Sequence, residues 1–254
     1  MPLTVDELKQ FFGGREEEIT CDIQILFELE SLIANYEKEL KLNHIERNDE
    51  LLNKIKEEFL IKRIKEKVEN CRGCGLIYAD CHTQKVPGEG CTLAPLMLIG
   101  EAPGYEEDLM GRPFVGKAGQ LLTRILNKLG INREKVYITN IIKCRPPNNR
   151  DPLKKEITAC SEIIEMEIAV INPKVIITLG STALNFIKGD SSIIRDRGKW
   201  IVYRNKIPVM PTFHPSYILR QHGTSEARVK WQVWEDFQNA IDKARELAPD
   251  YSYK

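Results

Sequence analysis

From residue 96 onward, short apolar runs alternate with longer amphipathic stretches, and this alternation constrains the fold more than any other feature of the chain. The apolar runs cover residues 96–99, 136–142, 175–179 and 209–213, and helical periodicity covers 118–129, 154–171, 183–187 and 227–247. Strands that are apolar at every position are typical of a sheet covered on both faces. We therefore predict an α/β fold, a three-layer αβα sandwich with a mostly parallel central sheet of about four strands, and an edge hairpin at 200–203 and 206–209.

Residues 1–65 follow a different pattern. Apolar residues recur there at helical spacing: Ile25, Leu26, Leu29, Leu32, Ile33, Tyr36 and Leu40. The first 70 residues carry 11 basic and 17 acidic side chains, a net of −6, whereas the rest of the chain carries 26 and 20, a net of +6. We predict an N-terminal helical extension of unknown role at 1–65 and a main domain at 66–254. The extension packs on the main domain or on a second copy, or it binds a partner protein.

The composition also narrows the class of protein. No stretch approaches eighteen uninterrupted apolar residues, so we expect no membrane span. The first ten residues, MPLTVDELKQ, lack the basic and apolar regions of a secretory signal, so we expect a cytoplasmic protein. Residues 193–232 contain eight basic and two acidic side chains. Such a cluster is either a solvated basic face or a local positive field that attracts a polyanion.

Seven cysteines are many for a cytoplasmic protein, and in a reducing compartment clustered cysteines bind metal more often than they form disulfides. Cys71 and Cys74 form a C-x2-C pair. Four further cysteines follow it: Cys81, Cys91, Cys144 and Cys160. On spacing alone the nearer two would complete a zinc site. The farther two would serve equally well, because thiolate ligands need only converge in space.

Four loops of the predicted sheet carry residues suited to a nucleobase. In chain order they read GEAPG followed by YEED (100–108), GRPFVGKAG (111–119), TNIIKCRPPNN (139–149) and HPSYILR (214–220). Phe114 on a rigid loop can stack on a flat base, or else it staples the next helix to the core. Asn140, if it is not simply a turn residue, offers the acceptor and donors that match the O4 and N3–H edge of uracil. His214 stands on a stiff His-Pro-Ser turn at a strand end.

These four motifs, in this order, closely resemble the family-4 uracil-DNA glycosylases, the iron–sulfur members of the uracil-DNA glycosylase superfamily. The resemblance extends from about residue 71 to about residue 242 and does not include the extension. It implies a [4Fe-4S] cluster held by Cys71, Cys74, Cys144 and Cys160, in preference to the zinc site. It also implies uracil-containing DNA as the partner and with it a nucleoid-associated location. For the N-terminal helices, which the resemblance does not explain, we expect a repair or replication protein as a partner.

Residue by residue, the resemblance implies three sets of site residues. Uracil would be bound by Glu101, Ala102, Pro103, Phe114, Asn140 and His214. The catalytic set would be His214, which donates a hydrogen bond to uracil O2, together with Glu101, Glu107 and Asn149, one of which positions the water. DNA would be contacted by Ser216, Tyr217, Ile218 and Arg220, with Tyr217, Ile218 or Leu219 as the wedge that fills the vacated stack.

The expected reaction is hydrolysis of the N-glycosidic bond of a uracil that has been flipped out of DNA. We expect a monofunctional enzyme that releases uracil and leaves an abasic site. A related group that becomes covalently linked to DNA has Gln where this chain has Ala102, and carries a Lys-Arg-Arg-Ile-His run that is missing here. The alternative is a non-catalytic iron–sulfur DNA-binding module associated with replication, although such a module needs no Glu101, Asn140 and His214.

Overall fold

The computed structural model describes residue 56, residues 60–78 and residues 83–254. Residues 1–55, and with them most of the predicted helical extension, lie outside the described residues. A π-helical segment, Leu60–Lys65, continues into helix α1, Glu66–Asn70, so the last part of the extension that the structure describes is helical, as predicted. The domain boundary near residue 65 stays a prediction. None of the helices in these ranges is long and apolar enough to cross a membrane.

The described chain contains a six-stranded sheet in the order β1-β3-β2-β4-β6-β5. The strands are β1 Glu89–Gly90, β2 Leu96–Gly100, β3 Tyr137–Asn140, β4 Val175–Leu179, β5 Ile201–Tyr203 and β6 Ile207–Thr212. The four central strands pair in parallel and are the four that the apolar runs predict. At the edges β1 and β5 pair antiparallel, β5 in the predicted hairpin with β6. The predicted α/β class is confirmed, and β1 is the strand that the prediction does not contain.

Helices cover both faces of this sheet. They are α2 Tyr105–Met110, α3 Lys117–Lys128, α4 Lys154–Ile171, α5 Ser181–Lys188, α6 Ile193–Asp196, α7 Pro215–Leu219 and α8 Gly223–Leu247. Alternate residues of β2 enter two different cores: Met97 packs with α4 and α5, and Leu98 packs with α3 and α8. This alternation follows from the two-residue period of a strand and makes the domain a three-layer sandwich.

The register aligns the carboxyl ends of the parallel strands. Gly100 of β2 is opposite Asn140 of β3, and Leu179 of β4 is opposite Thr212 of β6. Strand β3 is shorter than predicted, since regular pairing stops at Asn140, although the Ile141 N–H still donates to the Gly100 carbonyl at 3.0 Å. The loops that follow these strands are therefore brought to one edge of the sheet.

Candidate active site

A cavity of about 720 Å³ opens at this edge. Its walls are the loops after β2, β3, β4 and β6, where ligands bind in open parallel sheets. Every residue that the sequence assigns to uracil, water or DNA lines it except Ile218: Glu101, Ala102, Pro103, Glu107, Phe114, Asn140, Asn149, His214, Ser216, Tyr217 and Arg220. The four motifs thus form one site.

Asn140 ends β3 and lines this cavity with a side chain that is 2% exposed. Its neighbour Gly100 makes room for it: a Cβ on residue 100 would lie 2.4 Å from Asn140 Oδ1 and 2.5 Å from Phe114 Cζ. Asn140 Oδ1 is buried and accepts no hydrogen bond from any residue that the structure describes. A buried acceptor without a donor is unfavourable. This oxygen is therefore suited to a donor that a ligand brings.

Phe114 forms another wall of the cavity, and its loop is held in a strained conformation. Its φ of 53° lies in the left-handed region, which costs a non-glycine residue about 1–3 kcal/mol. Glu107 supports the loop, since Oε1 accepts from the N–H groups of Val115 and Gly116 at 2.9 and 2.8 Å. The Phe114 ring is buried, and its centroid lies 5.6 Å from that of the His214 imidazole. The loop thus presents an aromatic ring beside the histidine.

His214 follows β6 and caps the first turn of α7. The Ser216 N–H donates to His214 Nδ1 at 3.1 Å, and the Ser216 hydroxyl lies 2.7 Å from the same nitrogen. Because Nδ1 is an acceptor, the neutral ring carries its proton on Nε2. Burial, with a smaller contribution from the charge of Arg220, lowers the pKa of His214 to about 4. At neutral pH the ring is therefore neutral, with an Nε2–H donor.

The two glutamates of the first loop differ in their surroundings. Burial raises the pKa of Glu101, although the Thr182 hydroxyl donates to its Oε2 and opposes the shift. Glu107 accepts from the Gly104 N–H at 3.0 Å, in addition to the two amides of the Phe114 loop. The Glu107 carboxylate thus binds three backbone amides and connects two loops. Of these two glutamates, Glu101 is the one with capacity for a further partner in the cavity.

The turn after His214 forms part of the cavity rim. Tyr217 stacks on Phe213 with 4.7 Å between ring centroids. Ile218 is 2% exposed and packs in the core under α3 and α8, so its side chain is not available to enter a base stack. Leu219 is 45% exposed and lines the cavity. Of the three wedge residues that the sequence leaves open, Leu219 has the exposed apolar side chain.

Comparison with known proteins agrees with this arrangement. The family model of the uracil DNA glycosylase superfamily matches residues 87–238. The type-4 uracil-DNA glycosylase of Thermotoga maritima is 45% identical over 185 residues, which are 72% of this chain and 94% of the relative. That of Sulfurisphaera tokodaii is 45% identical over 74% of this chain and 84% of the relative. That of Saccharolobus solfataricus is 50% identical over 61% and 76%.

The chain belongs to the uracil DNA glycosylase superfamily. Because its relatives are type-4 enzymes, it falls in the type-4 branch, as the motifs predict. The region that the superfamily model matches contains all four motif loops together with Cys144 and Cys160, and it begins after Cys71 and Cys74.

Four cysteines of this glycosylase lie near one another. Cys71 and Cys74 follow α1, Cys144 follows β3, and Cys160 is on α4. Burial, with smaller contributions from the three other thiols, raises the pKa of Cys144 to about 12, so those thiols are close to it. Burial also raises the pKa of Cys160 to about 11, again with contributions from Cys71 and Cys74. The distant set of four that the resemblance implies is therefore brought together by the fold.

The alternative local set is less well placed. Cys81 lies outside the described residues, and Cys91 is located beside the Tyr251 hydroxyl near the C-terminus. Within the ranges that the structure describes, no group of three or more His, Cys, Asp or Glu side chains has the arrangement of a metal site. The four neighbouring thiols thus supply the donor chemistry of a cluster, although they are not arranged as its ligands.

Sequence reasoning missed several residues of the glycosylase site. Ile194 of α6 is 79% exposed and lines the cavity, but it lies in a segment without a recognisable motif. Thr182, the partner of Glu101, is a helix residue after β4, a strand end that carries none of the four motifs. Lys117 lines the cavity at an exposed position. Lys143 stands inside a motif, but its burial has no signal in the sequence.

Proposed function

We infer that the protein is a type-4 uracil-DNA glycosylase, a DNA repair hydrolase that cleaves the N-glycosidic bond between uracil and deoxyribose and leaves an abasic site. The observation that carries this is the unpaired Asn140 Oδ1, in one cavity with the Phe114 ring and a neutral His214. An aromatic ring, an amide and an imidazole donor match a planar base read at its edges. A non-catalytic DNA-binding module needs no such site, so that alternative is not favoured.

We propose that Asn140 selects uracil. Its Oδ1 accepts from N3–H, and its amide group donates to O4, while Phe114 stacks on the ring. Cytosine presents an acceptor at N3 and a donor at C4, so donors would face donors in a buried site. Each buried group left unsatisfied costs about 1–3 kcal/mol, which disfavours cytosine strongly.

His214 and Glu101 carry the proposed chemistry. As the bond breaks, negative charge develops on uracil O2 and positive charge on the sugar. The Nε2–H of His214 donates to O2, and one such donor contributes about 10²–10³ in rate. The carboxylate of Glu101 positions the water that attacks C1′. Glu107 supports the loops, and we assign Asn149 a secondary role, since Arg145 Nε donates to its Oδ1 at 2.7 Å.

DNA contacts are proposed for the rim of the cavity. Leu219 enters the stack that the uracil vacates, and Arg220 binds a neighbouring phosphate. Ser216, whose N–H and hydroxyl both face His214 Nδ1, would act on DNA through its contact with Arg220. Arg220 Nη1 lies 3.4 Å from Ser216 Oγ, so the two side chains are already adjacent. Tyr217, stacked on Phe213, braces the turn that carries Leu219.

The proposed enzyme is monofunctional, and Lys117 provides the test. It is a lysine of the cavity wall, but its side chain is exposed, whereas amines that act as nucleophiles in enzymes are desolvated. Borohydride added during turnover should therefore trap no covalent enzyme–DNA adduct. An adduct that disappears in Lys117→Ala would show instead that this lysine attacks the sugar.

We propose that Cys71, Cys74, Cys144 and Cys160 hold a [4Fe-4S] cluster. The donor set fits, because the four thiols are mutually close and two of them are buried. Binding would displace their protons and would tie the segment after α1 to α4 and to the loop after β3. A bound cluster supplies structural cross-linking, and the hydrolysis needs no electron from it. We expect Cys160→Ser to lose the broad absorption near roughly 400 nm and the bound iron, while Cys91→Ser keeps both. Equal iron in both variants would contradict this ligand set.

Excision of uracil from an oligonucleotide, read as strand scission after alkali, tests the proposal as a whole. We expect scission at uracil and none at cytosine, and a large loss of rate in Asn140→Ala with the fold and absorption unchanged. An unaffected Asn140→Ala variant would remove its proposed role. Binding of a repair or replication protein by the extension stays a prediction, since residues 1–55 lie outside the described residues. A cytoplasmic, nucleoid-associated location also stays a prediction.

A further inference from the structure

A fully buried ion pair lies directly behind the end of β3. Lys143 Nζ is 2.7 Å from Glu167 Oε2, and the two side chains are 2% and 0% exposed. Removing two charges from water costs several kcal/mol per ion, and the attraction between them offsets this cost only with additional hydrogen bonds. Neither group is exposed to the cavity, and neither lines it. The pair therefore does not touch the substrate, and it acts on the site only through the residues that it contacts.

Those contacts lead to Asn140. The Lys143 ammonium group also donates to the Asn140 carbonyl at 2.8 Å and to the Thr139 hydroxyl at 2.6 Å, so all three of its protons are used. The Thr139 hydroxyl in turn donates to Glu167 Oε2 at 2.7 Å, and the Gly88 N–H donates to Oε1 at 3.1 Å. Glu167 belongs to α4, so this network ties the strand end to the helix layer.

The peptide that follows Asn140 is thereby held on both sides. Its carbonyl accepts from Lys143, and its N–H, that of Ile141, donates to the Gly100 carbonyl at 3.0 Å. A fixed peptide plane restrains the backbone of Asn140 and thereby the point from which its side chain enters the cavity. Asn140 Oδ1 and the Phe114 ring occupy the space that a Cβ on residue 100 would fill, so the absence of a side chain at Gly100 is what gives Asn140 its place.

We propose that Lys143 and Glu167 are positioning residues that hold Asn140 in the orientation that reads uracil. The inference rests on the proposed role of Asn140. A contact displaced by about 1 Å can cost 10²-fold in rate. We therefore expect loss of the pair to weaken uracil recognition about 10- to 100-fold without loss of the fold or of DNA binding.

The test compares variants of the full chain that remove the pair as a unit. Lys143→Met combined with Glu167→Gln removes both charges at nearly constant volume and leaves no buried charge unpaired. The readouts are the inhibition constant for free uracil, the excision rate, and the affinity for uracil-free DNA. We expect the first two to worsen about 10- to 100-fold and the third to stay constant. Glu165→Gln is the matched control: this buried carboxylate of the same helix binds Tyr203 and Arg204 at the sheet edge, and its loss should change none of the three.

A double-mutant cycle separates positioning from general weakening. If the pair acts through Asn140, adding its substitutions to Asn140→Ala should cause no further loss of uracil affinity. A full further loss, or an equal loss of affinity for uracil-free DNA, would overturn the inference. An inert Asn140→Ala would instead refute the proposed role of Asn140 itself. If the paired variant does not fold, Thr139→Val should lose uracil affinity and Thr139→Ser should restore it, and equal affinities would overturn the inference.

Discussion

The neutral state of His214 makes a strong prediction about pH. An ordinary histidine, with a pKa near 6.5, would be only about 9% neutral at pH 5.5. With the pKa lowered to about 4 by burial, His214 is about 97% neutral at that pH. The fraction of His214 that is neutral, with its proton on Nε2, should therefore be almost constant from pH 8 to 5.5. With an ordinary pKa near 6.5 the neutral fraction would instead fall about tenfold over this range, and the protonated Nδ1 could no longer accept from the Ser216 N–H.

Single-turnover excision with saturating enzyme at constant ionic strength measures this, because the chemical step is then separated from salt-dependent DNA binding. Burial raises the pKa of Glu101, so on acidification Glu101 loses its charge before His214 gains one. The fall in rate that protonation of Glu101 would cause is absent from the Glu101→Gln variant. The slow rate that remains should then stay level down to about pH 5. A limb with its midpoint near 6.5 in this variant would refute the neutral-imidazole reasoning.

The same lowered pKa has a consequence for stability. The folded state disfavours the protonated ring. The contribution of His214 to the unfolding free energy is therefore complete above pH 6.5 and is lost as the pH falls towards 4. A difference of 2.5 units corresponds to roughly 3 kcal/mol of unfolding free energy. Urea unfolding at pH 7.5 and 4.5 should show a smaller decline in His214→Asn than in the parent enzyme. Equal declines would mean that His214 titrates alike in both states.

Three further substitutions have defined outcomes. Gly100→Ala should abolish most excision, because the added Cβ meets Asn140 Oδ1 at 2.4 Å and the Phe114 ring at 2.5 Å. Gly189→Ala is the control: its added Cβ has no atom within 4 Å and causes only backbone strain, so excision should be unchanged. Glu107→Gln should lower the unfolding free energy by about 2–3 kcal/mol in a urea titration, because charge-assisted hydrogen bonds to backbone amides are weakened; an unchanged midpoint would show that the carboxylate does not hold the loops. Asn140→Ala should raise the inhibition constant of free uracil while binding of uracil-free DNA is constant, and a parallel loss of both would contradict a role confined to the base.

Much of the architecture could be predicted, because buried parallel strands have a strong sequence signal. Four predominantly apolar runs became the four central strands, and this placed the loops at one edge. Strand β1 could not be predicted, since it is only Glu89–Gly90 and is defined by its antiparallel pairing to β3 rather than by its own residues. The end of β3 was placed too late for a similar reason: Ile141 and Ile142 are apolar and buried, but they lie beyond the last paired residue.

The site could be predicted as a set of residues, but not as a set of roles. Glu101 and Glu107 are both acidic residues of one motif, and only the folded structure shows that three backbone amides occupy Glu107. Ile218 and Leu219 are adjacent and equally apolar, and the rotation of one short helix buries the first and exposes the second. Sequence spacing contains neither piece of information, because both depend on contacts between distant segments.

Asn140 and His214, the two residues proposed to form hydrogen bonds with uracil, are anchored from opposite faces of the sheet in a similar way. At the end of β3, Thr139 donates to Glu167 of α4. At the end of β6, the hydroxyl of Thr212, two residues before His214, donates to Asp236 of α8 at 2.6 Å. Each carboxylate is buried and also binds a cation, Lys143 in the first case and Arg197 in the second. A base held between Asn140 and His214 would therefore be contacted by two residues that are anchored to different helix layers. This gives the buried ion pairs a structural role beside a cavity that they do not line.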